Sequence, residues 1–108
     1  MSEPQISVAD APERGQFEIT VDGRPAGFAA YQRLGKVIAF THTEVDDSFE
    51  GHGLGSRLVS FALDSVREQG LDVLPYCPFV RSWIERHPDY VDLVPERRRA
   101  EFGLEDVD

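Results

Sequence analysis

The chain reads as an α+β domain: a mixed, mostly antiparallel sheet followed by a strand–helix–strand–helix half. Three observations predict this. Apolar and polar residues alternate in short runs through the first 45 residues, with turn-forming residues between the runs. From Leu54 the apolar spacing changes to three and four, the period of a half-buried helix. A short β-forming stretch, 72–76, then leads into a second helical segment opened by Pro78.

Residues 1–14 hold two prolines and few large apolar side chains, and read as a loose lead-in with at most a short strand at 5–8. Phe17-Glu18-Ile19-Thr20-Val21 alternates with period two, as a half-buried strand does. Asp22-Gly23 suits a tight hairpin turn. Residues 26–33 return, with Phe28, Ala30 and Gln32 on one face and Ala29 and Tyr31 on the other. Gly35 marks a second turn, and 36–45 is a third strand rich in β-branched and aromatic residues. Residues 46–53 are polar and glycine-bearing, hence loop. The helix that follows buries Leu54, Leu58, Phe61, Ala62, Leu63 and Val66, and Gly70 is placed to end it. A strand over 72–76 enters Cys77-Pro78, and a helix to about residue 87 turns Val80, Trp83 and Ile84 inward until Pro88 stops it. Residues 90–94 suggest a short strand or turn, and the acidic end from Glu101 is expected to fray. The unit 36–76 has the length of one parallel crossover, which is right-handed as a rule. The chain thus divides into a lead-in (1–14), one domain (15–95) and a charged tail (96–108).

An apolar fraction of 41% suffices for one core, and no apolar run is long enough to cross a membrane. The first residues lack the basic and apolar regions of a signal peptide, and the single cysteine, Cys77, fits a reducing compartment. A cytoplasmic location is expected on both grounds. Twenty acidic residues against 11 basic give a net charge of −9, the wrong sign for gripping a phosphate backbone, so nucleic acid is not an expected partner. The Arg97–Arg99 run reads as a solvated face. No metal is expected, because His42, His52, His87 and Cys77 lack ligand-pair spacing.

The chemistry centres on Gly51-His52-Gly53-Leu54-Gly55, where a loop runs into a helix. The first N–H groups of a helix have no intrahelical partners and carry partial positive charge, and glycines let a phosphate approach that backbone. Two familiar phosphate motifs do not fit. A P-loop needs Lys then Ser or Thr after its last glycine, and Gly55 is followed by Ser56 and Arg57. A dinucleotide fingerprint needs glycine where Ser56 stands, and needs the glycines directly after the strand.

The segment from Val45 through Glu50, Gly51, Gly53 and Gly55 to Leu58 resembles the acyl-CoA-binding signature of the GNAT acetyltransferase superfamily. Phe40-Thr41-His42-Thr43-Glu44-Val45 before it, and Cys77-Pro78-Phe79-Val80 with His87-Pro88-Asp89-Tyr90 after it, are similar to its compact single-domain (YjdJ-type) subgroup. The resemblance implies a minimal GNAT-like fold, acetyl-CoA as cofactor, and acetyl transfer to an unidentified amine or protein acceptor. It implies that the Val45 backbone pairs with the pantetheine arm, while N–H groups around Gly51, His52, Gly53, Leu54 and Gly55 hold the pyrophosphate at the helix start formed with Ser56 and Arg57. One residue departs from the pattern. Glu50 stands where the family usually has Arg or Gln, which sets a carboxylate near a phosphate loop, with His52 and Arg57 to offset it.

Acetyl transfer to an amine needs a base, a donor to the thioester carbonyl and an acid for the departing thiolate. His42 and Glu44 are the candidate bases, on the strand face opposite Thr43 and Val45. Cys77 ends the fourth strand and directly precedes a helix, whose N-terminus favours a thiolate. It either carries the acyl group as a thioester or lines the acyl pocket. Tyr90 is a weaker candidate for the acid, and Phe79 and Trp83 read as packing residues. The hairpin at Asp22-Gly23 leaves no room for the extra helices that shape the acceptor site in larger members of the superfamily. The rival reading is therefore a non-catalytic acyl-CoA-binding or sensing module.

Overall fold

The computed structural model describes residues 5–46 and 53–104. Five strands form one sheet in the order β1-β2-β3-β4-β5: β1 (Ile6–Ala11), β2 (Gln16–Val21), β3 (Arg24–Leu34), β4 (Val37–Val45) and β5 (Asp72–Pro75). The first four pair antiparallel, whereas β5 pairs with β4 in parallel after the helix α1 (Leu54–Glu68). A second helix, α2 (Pro78–Arg86), follows β5. The expected α+β class, meander and parallel crossover are what is found.

The loose lead-in is more ordered than its composition suggests. Ile6–Ala11 pairs along β2 over its whole length, and its start is tied by Asp22, whose carboxylate accepts the Gln5 N–H at 2.9 Å while its own N–H reaches Gln5 O at 2.8 Å. Asp22 sits at φ 51° in the hairpin turn, a conformation that an Asx side chain tolerates better than most.

Burial follows the two periodicities. Phe17, Ile19 and Val21 face the helices on β2, while Gln16, Glu18 and Thr20 point the other way and are only partly covered. Along α1, Leu54, Leu58, Val59, Ala62, Leu63 and Val66 are buried, the leucines and valines each stabilising the fold by about 1.5–3 kcal/mol relative to exposure. Phe61 lies at the margin of that stripe and stays 43% exposed, its ring edge-on to Phe17 at 6.2 Å. Phe17 also meets Tyr31 at 5.5 Å and Phe40 at 6.2 Å, which ties β2, β3 and β4 into one aromatic cluster.

Two expectations for the C-terminal part are corrected. Residues 90–94 form no strand: Pro88–Leu93 is a 3-10 helix, because Pro88 presets a helical φ and α1 holds the segment from the side. Arg67 bonds the Asp92 carboxylate at 2.9 and 3.0 Å and Asp89 O at 3.0 Å, and Tyr90 donates to Asp64 at 2.8 Å. Nor do the described residues 101–104 fray. Phe102 and Leu104 are buried, and Phe102 packs edge-on against Tyr76 at 5.2 Å.

Candidate active site

After Phe40, β4 and β5 part. The pairing ends at Phe40↔Pro75, the Cys77 N–H closes it on Phe40 O at 2.8 Å, and β5 then turns into α2. Beyond Phe40, Thr41 falls at a bulge, and His42 to Val45 continue paired to β3 alone among the described residues. The strand edge that faced β5 is left with its polar groups turned into the opening.

Two helices begin at this opening. α1 starts after Gly53 and α2 after Cys77, and neither start has a side-chain cap or an acidic residue in its first turn. Among the described residues nothing caps the first N–H groups, which in α2 begin at Phe79 because Pro78 has none, so they are open to an anion. Gly53 has φ 64°, a left-handed conformation that favours glycine, and a Cβ there would meet nothing within 4 Å. Gly55 answers a different need: a Cβ on it would lie 2.5 Å from the Phe79 ring, so its absence lets α2 close against α1. Ser56 completes the joint by accepting the indole N–H of Trp83 at 3.0 Å. Leu54 is buried in the core and contributes only backbone to the turn. Arg57 is exposed on another side of α1, along a shallow groove with Ile6, Val8, Phe61 and Asp64. Glu50, Gly51 and His52 lie outside the described residues.

The candidate catalytic side chains fall into two sets, separated by the alternation of β4. Cys77 is 3% exposed on the helix side, its Sγ 3.3 Å from Thr43 Oγ1. His42 and Glu44 stand on the opposite face, joined by a 2.8 Å contact from His42 Nε2 to Glu44 Oε2, with the Phe28 ring 5.9 Å from the imidazole. An ionised carboxylate only accepts, so Nε2 donates in this contact, and in the neutral tautomer Nδ1 is the acceptor nitrogen. Val45 pairs with Gly27 at the strand end and packs partly against the core. Tyr90 is not at this opening; its hydroxyl is spent on Asp64.

Some site residues carry no motif. Thr43 faces Cys77 across 34 positions of sequence, and only strand alternation hinted at its side. Gly27 is required because a Cβ there would lie 2.5 Å from Glu44 O. Glu18 and Phe28 stand beside Glu44 because β2, β3 and β4 align them in one row. Arg14 grips both oxygens of Glu18 at 2.7 Å and Gln16 adds a bond at 2.6 Å, and these hydrogen bonds hold the Glu18 carboxyl down to about 2.

The fold as a whole matches known proteins. Residues 16–93 match the sequence profile of the GCN5-related N-acetyl-transferase family. The chain belongs to this family. The chain is 29% identical to Protein NATD1 of Mus musculus over 85 residues, 77% of each chain, and 26% identical to Protein NATD1 of Danio rerio over 94 residues, 83% of this chain and 86% of the relative. The solution structure of a GCN5-like protein from Staphylococcus aureus superposes with a TM-score of 0.63 at 25% identity, covering 88% of this chain and 91% of that one. The ribosomal-protein-S18-alanine N-acetyltransferase of Escherichia coli shares the fold alone, with a TM-score of 0.54 at 18% identity over 66% of this chain. As a family member the chain has a short sheet with one crossover. No helix among its described residues is long and apolar enough to cross a membrane.

Proposed function

We propose that this chain is an acetyl-CoA-dependent N-acetyltransferase that works at the opening between β4 and β5. The observation that carries the reading is the parting of the two strands at Cys77, with two uncapped helix N-termini beside it and the His42–Glu44 pair on the strand that continues. The residues present fit acetyl-CoA: a strand edge from Thr41 to Val45 that no described strand pairs suits an amide-bearing arm, and the start of α1 at Gly53 suits a pyrophosphate. Bound acetyl-CoA supplies an acetyl group activated as a thioester.

The chain's own residues do the remaining work. The β4 edge and the Gly53 turn bind and orient. Cys77 and Thr43 line the acyl end from the helix side. His42, its ring fixed by Glu44, would take a proton at Nδ1 from the acceptor amine as the amine nitrogen bonds the acetyl carbon and the thiolate departs, and that same proton would pass through water to the sulfur, returning His42 to its neutral form. The products are an amide and the free thiol.

Isothermal titration of the full chain with acetyl-CoA, and with CoA, tests the cofactor site. Saturable binding is expected in the wild type and its loss in Gly53→Asp, whose side chain enters open space at a left-handed φ of 64° that Asp accepts with less strain than most residues, with circular dichroism to check that the fold is kept. No binding to the wild type removes the reading. Binding without acetylation of any amine leaves the non-catalytic acyl-CoA-binding module instead. Incubation with acetyl-CoA followed by mass spectrometry separates the two roles of Cys77. An acetyl mass abolished in Cys77→Ala marks a covalent carrier, and an unchanged mass marks a lining residue.

A further inference from the structure

The face of β2, β3 and β4 turned away from α1 carries Glu18, Phe28 and Glu44. Bulges between Ile19 and Thr20 and between Ala30 and Tyr31 curve the sheet, and a cavity of about 570 Å³ lies over it. Its lining includes Arg14, Glu18, Phe28, Glu44 and Asp46. The register sets the chemistry: Glu18 pairs with Phe28, and Phe28 with Glu44, so an aromatic ring stands between two carboxylates in one cross-strand row. The Glu18 carboxylate is held in place by Arg14 and Gln16, and Glu44 is held by His42. Within the described row, the carboxylates of Glu18 and Glu44 against the guanidinium of Arg14 leave a negative balance, and the half-buried Phe28 supplies an apolar and π-rich floor. An anion finds no complement there. An ammonium on a hydrocarbon stem finds both a counter-charge and a ring face.

We infer that this cavity is the acceptor subsite, and that the acceptor is an aliphatic amine carrying a second ammonium group, seated over Phe28 between Glu18 and Glu44 while its reacting amine lies at His42. This rests on the acetyl-transfer reading for the second amine, and the cavity's preference for a cation can be tested apart from it.

The first arm uses the full chain without coenzyme. Titration with 1,5-diaminopentane, pentylamine and glutarate is followed by amide chemical shifts. The diamine is expected to shift residues 16–20, 26–28 and 44–46, pentylamine to bind more weakly, and glutarate not to bind there. Glu18→Gln and Phe28→Leu, checked for an unchanged fold by circular dichroism, are each expected to weaken diamine binding about tenfold, the effect of one charge-assisted or cation–π contact. Shifts centred elsewhere, or equal binding of glutarate, overturn the inference. The second arm compares kcat/KM for acetylation of the diamine and of pentylamine. The diamine is expected to lead in the wild type, and Glu18→Gln to narrow that lead while acetyl-CoA affinity holds. Transfer with no preference for the diamine overturns the inference and leaves the acetyltransferase reading standing. Diamine binding in a chain that binds no coenzyme does the reverse.

Discussion

Gly27 shows how a single absent atom shapes the site. A Cβ at this position would lie 2.5 Å from Glu44 O and 3.1 Å from the Val45 Cα, and both contacts are backbone, which has nowhere to retreat in a paired strand. Gly27→Ala is expected to cost about 1–3 kcal/mol by overpacking and to push Glu44 out of line with His42. A lowered urea midpoint together with changed chemical shifts at His42 checks it; an unchanged midpoint refutes the crowding argument. Glu18 gives a pH dependence of known sign. Its hydrogen bonds to Arg14, then to Gln16, hold the folded carboxyl down to about 2 from an ordinary 4.5. The unfolded chain therefore binds this proton more readily, so the contribution is present above the ordinary range and disappears as pH falls toward about 2. The Tm gap between wild type and Glu18→Gln is expected to be small, because the pair is exposed, and to close across that acid window. A gap independent of pH would assign the effect to packing instead.

Between elements, the decisive contacts join α1 to α2. Trp83 is 3% exposed and its indole N–H is satisfied by Ser56 Oγ, so Ser56→Ala leaves a buried donor unpaired. A loss of about 1–3 kcal/mol is expected, restored largely by Ser56→Thr, and chemical denaturation measures both. This joint was not legible in the sequence, where Ser56 read as part of a phosphate turn and Trp83 as generic packing. The elements themselves were legible, because each buries one face: the alternation of Phe17, Ile19 and Val21 and the helical stripe from Leu54 to Val66 stand in the sequence as periods. What escaped the reading depends on contacts between distant segments. Phe102 sits among charged residues and its docking on Tyr76 has no local signal, and Ile6–Ala11 is a strand because β2 offers it an edge. The site divides the same way. His42, Glu44, Gly53 and Cys77 are candidates from motif and position, whereas Thr43, Gly27 and Phe28 join the candidate site through register and close approach.

At the scale of the molecule, charge sets a condition on the proposed cofactor site. The chain carries a net charge of −9, and a ligand bearing several phosphates approaches it against that field. The groups offered for the pyrophosphate are backbone N–H groups at a helix start, which act at contact distance and are little affected by salt. The opposing carboxylates act over longer distances, and at physiological ionic strength a screening length of about 8 Å removes most of their effect. The two contributions therefore respond differently, and the sign of the salt dependence reports which dominates. Acetyl-CoA affinity is expected to rise from low to physiological ionic strength, driven by a faster association rate, opposite to a site built from Lys and Arg side chains. Stopped-flow association at several salt concentrations checks this. An affinity that falls with salt would mean that side-chain cations such as Arg57, rather than the Gly53 turn, carry the phosphate contacts.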